Sequence, residues 1–472
     1  MIKLYSYARK LSGDLDTPVS LYLKLNQSPS FLLESVSGGE SVGRYSIIGL
    51  DPLIEYRANE DGTGLITGLI ERQITHPVDS LQSVFDELDV DLSASAGFPF
   101  AGGAVGFFSW EAMAFMDRIA ASDKAPLGFP LAHFIFPGKI LVVDHAFQTV
   151  TVVVFSQSAQ ADEANAAIDT IVAQIRRPVP ESFWNPVPLF RGDPYEFATS
   201  NTPKADYFQK VEETKRHIFE GDIFQLVLSQ KFSLPAQSDA FSVYRRLRQL
   251  NPSPYMFFIN HPDYQIIGSS PEILVKLSNS TATLRPIAGT RLRSDHNESE
   301  VIAGLKADEK ERAEHIMLVD LGRNDLGRVC EYGSVKTSDI MEIEKYSHVI
   351  HMTSHVEGKL AEGHTALDLL KATFPAGTVS GAPKIRAVEI INKLEPEKRG
   401  LYAGSLGYID FRGNMDMCIS IRTILAKDGR FTVQAGGGVV ADSSPEGEYE
   451  ESRNKAKGIL QACIEGSERS SS

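Results

Sequence analysis

An α+β chain with mainly antiparallel strands is what the 472 residues predict. Short β-rich runs arrive in adjacent pairs, without the regular strand–helix–strand spacing of a parallel sheet. Amphipathic helices separate them at irregular intervals. A hydrophobic content of 42% with 23% charged residues fits an ordinary globular protein.

Residues 1–155 alternate strand-like runs with Gly/Pro/Asp turns, as in SVGRYSIIGLDPLIEYRA and KILVVDHAFQTVTVVVF. Residues 158–177, SAQADEANAAIDTIVAQIRR, carry apolar side chains at helical spacing. The stretch PVPESFWNPVPLFRGDP (178–194) reads as an extended, proline-rich connector and sets the main boundary. An N-terminal region of residues 1–180 is therefore expected, then a larger region of residues 200–465 and a frayed tail at 466–472. In the larger region a helix, DYFQKVEETKRHIFEGD (206–222), precedes the strand-like runs DIFQLVLSQKF, YMFFIN, YQIIGSS and FTVQAGGGVV.

Lys and Arg total 47 against 61 Asp and Glu, so the net charge is 47 − 61 = −14. An acidic chain without a basic stripe argues against nucleic acid and anionic membranes as partners. No stretch approaches the roughly 18 uncharged apolar residues of a membrane span, and MIKLYSYARK lacks a signal-peptide core. Cys330, Cys418 and Cys463 show no CxxC spacing, so neither zinc nor a disulfide framework is expected. A reducing cytoplasm is the expected location.

Two glutamate pairs stand out. Glu311 and Glu314 in DEKERAEHIMLVDLGRND, and Glu448 and Glu451 in EGEYEESRNKAKGIL, are each spaced i, i+3 on one helical face. Taken alone, each pair fits a solvated helix face. The first runs directly into the apolar IMLVDL, however, and the second precedes Arg453, Asn454 and Lys455. Were the pairs to face each other, they would form an all-oxygen site suited to Mg²⁺; spacing leaves that open. Gly289 and Thr290 in RPIAGTR, and Gly436, Gly437 and Gly438 in VQAGGGVVAD, read as two loops whose backbone can approach an anion. Neither has a nucleotide-binding spacing, which favours a small carboxylate with Arg422 and Lys455 as counter-charges. His351, in HVIHMTSH, sits in an apolar context that suits a core histidine as well as a functional one.

The motifs AEHIMLVDLGRND, FPAGTVSGAPKIRA, LYAGSLGYIDFRG, IRT, AGGGVVADS and EGEYEESRNKA occur here in the order found in chorismate-utilising enzymes. The chain resembles that family from about residue 200 to 465, and LLES and NPSPYMFF extend the resemblance toward the anthranilate synthase component I branch over nearly the whole length. The resemblance implies two large, mainly antiparallel sheets packed as a sandwich with helices outside. It implies Mg²⁺ held by Glu314 and Glu451, with Glu311 and Glu448 supporting. It places chorismate against Gly289, Thr290, Tyr402, Arg422, Gly436, Gly437, Gly438 and Lys455. Glu272, in GSSPEIL, matches an acid that protonates the departing hydroxyl; His351 matches a residue assisting loss of pyruvate; Thr378 lies in the site loop FPAGTVSG.

Two absences follow from the same resemblance. Related aminodeoxychorismate synthases carry a nucleophilic lysine where Ala288 stands, and water-adding relatives carry a lysine base where Gln225 stands. With neither group present, ammonia is the expected nucleophile; aminodeoxychorismate synthase component I is the alternative within the family. None of the three cysteines lies in a G-x-C-x-G elbow, so a separate glutaminase subunit, component II, is expected in a hetero-oligomer. The LLES and NPSPYMFF stretches imply a feedback pocket for L-tryptophan at Ser35, Pro254, Tyr255 and Met256, with Cys418 nearby. Arg291-Leu292-Arg293 replaces a common Arg-Pro-Arg, and Gly437 stands where alanine is usual, at a cost in backbone entropy alone.

Overall fold

A computed structural model describes residues 1–25, 27–35, 43–184, 188–292, 298–345 and 349–466. The tail expected at 466–472 lies outside them except for Gly466, as does the side chain of Thr290.

Two long strands, Tyr45–Ala58 and Ala132–Asp144, organise the molecule. They pair with each other along almost their whole length, with a register shift between Pro52 and Ile54. Beyond that irregularity each strand takes different neighbours, so the pair belongs to two sheets. On one side of the shift the order runs from Leu88–Asp91 through Ile2–Ser12 and Thr149–Ser156 to residues 139–144 and 45–50. It continues through Ser30–Glu34, Tyr255–His261, Tyr264–Ser270, Thr423–Lys427 and Arg430–Val439 to Gln225–Pro235. On the other side, residues 54–58 and 132–137 lead through Gly103–Phe108, Ser405–Asp410, Met415–Ile419, Ile273–Ser278 and Thr281–Leu284 to Val349–Lys359. Among the described residues, the pairing of Ile2–Ser12 with Leu88–Asp91 alone is parallel. Strands from before residue 180 thus pair edge to edge with strands from after residue 200.

Period-two alternation decides what fills the space between the sheets. Phe31, Ile47, Val153, Phe257 and Ile266 of the first sheet pack in one cluster with Phe107, Ile135, Leu406 and Cys418 of the second. Their neighbours Leu32, Ile48, Val152, Phe258 and Ile267 point the other way, onto the helices Pro18–Leu25, Ala161–Ile175, Ala240–Leu250 and Pro445–Cys463. Phe108, Phe134 and Met417 point outward from the second sheet, toward Asp79–Glu87, Ala366–Thr373 and Lys384–Leu394. The expected sandwich with outer helices is therefore present. Strands buried on both faces read as unbroken apolar runs, which is why TVTVVVF lacks polar alternation.

A buried ion pair stitches the C-terminal half together. Arg399 donates to both oxygens of Glu395, at 2.9 and 2.7 Å, and to the carbonyls of Val379 and Val227, at 2.7 and 2.8 Å. Its guanidinium lies 4.3 Å from the Trp110 ring centre, and Glu395 also accepts from the backbone N–H and hydroxyl of Ser229. Removing one partner strands the other charge in the interior, which costs about 3–5 kcal/mol. Arg399→Met is therefore expected to lower the urea midpoint sharply while exposed Arg430→Met leaves it unchanged; equal midpoints for the two would contradict this account.

Candidate active site

The two glutamate pairs sit on helices, as their spacing required: Glu309–Gly327 carries Glu311 and Glu314, and Pro445–Cys463 carries Glu448 and Glu451. The second helix starts cleanly, with Ser444 accepting from the Gly447 N–H and Pro445 in the first turn. The strand Arg430–Val439 passes beneath it and contains Gly436, Gly437 and Gly438. These glycines are not a loop, as the sequence suggested, but ladder residues opposite Ser229, Leu228 and Val227. Missing side chains, rather than a turn, are their function.

A Cβ placed on Gly437 would lie 2.6 Å from Glu448 Oε2 and 3.3 Å from Glu451 Oε1. One on Gly438 would lie 2.4 Å from Gln225 Nε2. Glycine at 437 thus makes room for the two carboxylates, a steric role added to the entropy argument. Gln225 in turn donates to Glu314 Oε1 at 3.0 Å.

The pairs converge at Glu314. Burial first, then the negative charges of Glu311 and Glu451, raise its pKa, while the Gln225 amide and Lys455 pull it down. The outer carboxylates hold cations: Arg291 lies 2.8 Å from Glu311, and Lys455 lies 2.8 Å from Glu451 while donating to the Gly436 carbonyl at 3.0 Å. Among the described residues, triples of potential metal ligands within 4.8 Å occur elsewhere, at Glu55, His133 and His261 and at His217, Glu220 and Asp222. The first of these is a hydrogen-bonded triad. His261 Nδ1 accepts from the Asp263 N–H at 3.1 Å, which puts its proton on Nε2, facing Glu55 at 3.2 Å.

RPIAGTR likewise forms a strand, Ile287–Leu292, with a bulge between Ala288 and Thr290. Gly289 adopts φ +67° there, a conformation that glycine tolerates, and a Cβ on it would meet Leu305 and Glu311. Thr290 pairs with His351 across the ladder. Burial, followed by the positive charge of Arg422, pushes His351 down to about 4, so its imidazole is neutral near pH 7.

Glu272 moves the opposite way. Burial lifts its pKa to about 7, and Thr378, Lys455 and Arg422 pull only partly against that. Its peptide carbonyl is fixed by the Ile419 N–H at 3.0 Å. Arg422, itself buried and at φ 49°, is the charged neighbour common to Glu272 and His351. A cavity of about 1120 Å³ is lined by Arg422 and His351 and also by Ser35, Pro254, Tyr255, Met256 and Cys418. Tyr402 lines a different cavity, of about 240 Å³, with Arg399, Ser420 and Gln434.

Sequence reasoning noted that Gln225 is not a base but missed its grip on Glu314. It also missed a buried pair that joins two of the quoted motifs: Lys384 of SGAPK reaches Asp325 of GRND at 2.9 Å.

Residues 28–461 match the chorismate binding enzyme family. The chain belongs to that family. Anthranilate synthase component 1 of Acetivibrio thermocellus is 42% identical over 471 residues, covering 97% of this chain and 94% of the relative. That of Synechocystis sp. is 44% identical, covering 95% and 94%. The crystal structure of anthranilate synthase component I from Streptococcus pneumoniae TIGR4 superposes with a TM-score of 0.80 at 37% identity, over 96% of this chain and 99% of that one. The menaquinone-specific isochorismate synthase of Escherichia coli shares the fold at a TM-score of 0.73 and 18% identity. Within the chorismate-binding enzymes the chain groups with the component 1 proteins.

The raised Glu272 carboxyl has a thermodynamic signature. Its ordinary pKa is 4.5 and its folded value about 7, so between these values the folded state holds a proton that the unfolded state has released. Stability contributed by this group falls as pH rises through that window. Glu272→Gln is expected to flatten the decline of Tm between pH 5 and 7; an unchanged Tm-against-pH slope would refute the assignment.

Proposed function

We propose that the chain converts chorismate and ammonia to anthranilate and pyruvate, as component I of an anthranilate synthase in L-tryptophan biosynthesis. One observation carries this reading within the family: the two positions where a lysine would commit the site to another nucleophile hold Ala288, buried and inert, and Gln225, whose amide is engaged with Glu314. Glu314 and Glu451 would hold Mg²⁺, supported by Glu311 and Glu448. The crowding of like charge at Glu314 suits a divalent cation, and four carboxylates are a hard-oxygen donor set. When bound, the ion supplies positive charge to the ring carboxylate of chorismate.

The chain's own groups do the rest. Gly436, Gly437, Gly438, Gly289 and Thr290 let the backbone approach the substrate, and Arg422 and Lys455 complete its surroundings, while Tyr402 lines the separate cavity beside Arg399. Ammonia brings its own lone pair to the ring carbon beside the carboxylate, so no base is needed for the attack. Glu272, protonated at pH values up to about 7, delivers its proton to the departing ring hydroxyl, and water leaves. Thr378 lies close enough to that carboxyl to draw its pKa down. The ring then loses a proton and its enolpyruvyl group, which departs as pyruvate, and aromaticity drives the step. His351, neutral at this pH, assists that elimination as a hydrogen-bonding partner. Much of the acceleration comes from holding both reactants in one enclosed geometry.

Because the three cysteines are buried and none sits in a glutaminase elbow, a second subunit supplies ammonia from glutamine. Ser35, Pro254, Tyr255 and Met256 bind L-tryptophan as a feedback inhibitor. The Ser35 hydroxyl, buried without a hydrogen-bond partner among the described residues, fits a group waiting for a polar ligand. No helix among the described residues is long and apolar enough to cross a membrane, and the acidic composition fits a cytoplasmic enzyme.

Chorismate, Mg²⁺ and an excess of ammonium salt near pH 7, where Glu272 still holds its proton and some free ammonia is present, are expected to yield fluorescent 2-aminobenzoate with the isolated chain. The 4-amino isomer would instead favour the aminodeoxychorismate reading. Glu314→Gln is expected to lower the rate by at least about 100-fold, and wild-type turnover in that variant would sink the mechanism. Ser35→Phe is expected to raise the half-inhibiting tryptophan concentration by about tenfold or more; equal sensitivity in both proteins would remove the pocket assignment.

A further inference from the structure

His315 follows Glu314 in the helix Glu309–Gly327 and shares a face with Glu311, four residues earlier. It is wholly buried, yet its imidazole is only half satisfied. Nε2 lies 2.6 Å from the Ser354 hydroxyl, whereas Nδ1 has no hydrogen-bond partner among the described residues. A leucine there would leave nothing unpaired, and a buried unpaired nitrogen is unfavourable. Packing alone therefore does not call for an imidazole. The Nε2 contact is what an apolar side chain could not supply.

Ser354 makes that contact a junction. On the strand Val349–Lys359, His351 and Ser354 point to opposite faces, His351 into the shared cavity and Ser354 onto the helix. The Ser354 hydroxyl also accepts from the Met341 N–H at 3.0 Å, and the Ser354 N–H donates to the Pro286 carbonyl at 3.2 Å. Met341 sits at φ 57° in the irregular stretch of Lys336–Lys345, and Pro286 directly precedes the strand of Gly289 and Thr290. One serine thus joins the helix of Glu311 and Glu314 to the strands that carry Gly289 and His351. Arg291 and the close approach to Gly289 already hold the first turn of that helix at Glu311. His315 adds a second fixed point one turn further on. At a helix radius of about 5–6 Å, a roll of about 15° moves a carboxylate by about 1.5 Å. Mg²⁺ demands near-ideal octahedral geometry and tolerates little of that. We propose that His315, held by Ser354, is a positioning residue that sets the roll of this helix and so aims Glu311 and Glu314 at the divalent cation. This inference rests on the metal reading above.

The test titrates Mn²⁺ alone, which also suits oxygen donors in octahedral geometry, into the full chain and follows the free ion by paramagnetic resonance. His315→Leu and Ser354→Ala are each expected to weaken Mn²⁺ binding by about tenfold or more, as loss of a group orienting a metal ligand does. Ammonium-dependent turnover lost at limiting Mg²⁺ should return in both at excess Mg²⁺. His315→Gln, whose amide nitrogen can replace Nε2, should stay within about threefold of wild type in affinity. Ile168→Ala, in the buried face of the helix Ala161–Ile175, should lower Tm and leave Mn²⁺ affinity unchanged. Wild-type Mn²⁺ affinity in His315→Leu and Ser354→Ala, with or without a lowered Tm, would overturn the proposal. So would a His315→Gln chain as weak as His315→Leu, since the Nε2 bond would then not be the cause. A wild-type chain that binds no Mn²⁺ would instead defeat the metal reading itself.

Discussion

The close approach of two acidic helices across a strand without side chains is the constraint on which the site depends. Three consecutive glycines are unfavourable in a strand, since they add backbone entropy to the unfolded state and contribute no packing. Here each removed Cβ has an occupant: the Leu228 carbonyl against Gly436, Glu448 and Glu451 against Gly437, and the Gln225 amide against Gly438. The strand is short of side chains because a carbonyl, two carboxylates and an amide need that volume. Their mutual repulsion is offset by Arg291 and Lys455 at the periphery, by the Gln225 amide at the centre, and by rigid packing elsewhere.

That packing is supplied at a distance. The Arg399–Glu395 pair joins the helix Lys384–Leu394 to the strand Gln225–Pro235 through Val227 and Ser229, the residues facing Gly438 and Gly436 across the ladder. Lys384, at the start of the same helix, holds Asp325 near the end of the helix that carries Glu311 and Glu314. One helix thus fixes both the floor of the site and one of its walls. Neither pair touches the carboxylates, yet both limit how far they can drift apart.

The sequence made some of this legible and concealed the rest for physical reasons. Helical spacing put each glutamate pair on one face, and turn-bounded apolar pairs announced an antiparallel α+β chain. Strand identity was harder at the two glycine motifs. AGGGVV and IAGTR look like loops because glycine usually marks a turn, whereas both are ladder segments in which glycine makes room for a neighbour or forms a bulge. Whether the two helices face each other is a long-range fact that spacing cannot carry; it took the Gln225–Glu314 contact and the filled space at Gly437 to bring them together. The structure divides the apolar run IMLVDL: Leu318 is buried while Ile316 is exposed. The pairing of Lys384 with Asp325, between motifs nearly sixty residues apart, was likewise beyond local pattern.

Burial separates the two titrating groups in opposite directions. Both Glu272 and His351 sit in low-dielectric surroundings that disfavour charge, so the carboxyl rises and the imidazole falls, and each is neutral where the other's ordinary form would not be. Arg422 lies between them as a fixed positive charge whose own burial is tolerable only with an anion close by. A neutral Glu272 does not supply that anion, whereas the carboxylates of the proposed substrate would. The proposed inhibitor pocket reaches this arrangement through one strand. In Met415–Ile419, Asp416 accepts from the Tyr255 hydroxyl at 2.9 Å, Cys418 lines the shared cavity, and the Ile419 N–H holds the Glu272 carbonyl at 3.0 Å. A ligand that displaces Tyr255 therefore pulls on a strand three residues from the anchor of Glu272. The proposed inhibitor pocket and the Glu272 carbonyl thus share one backbone segment.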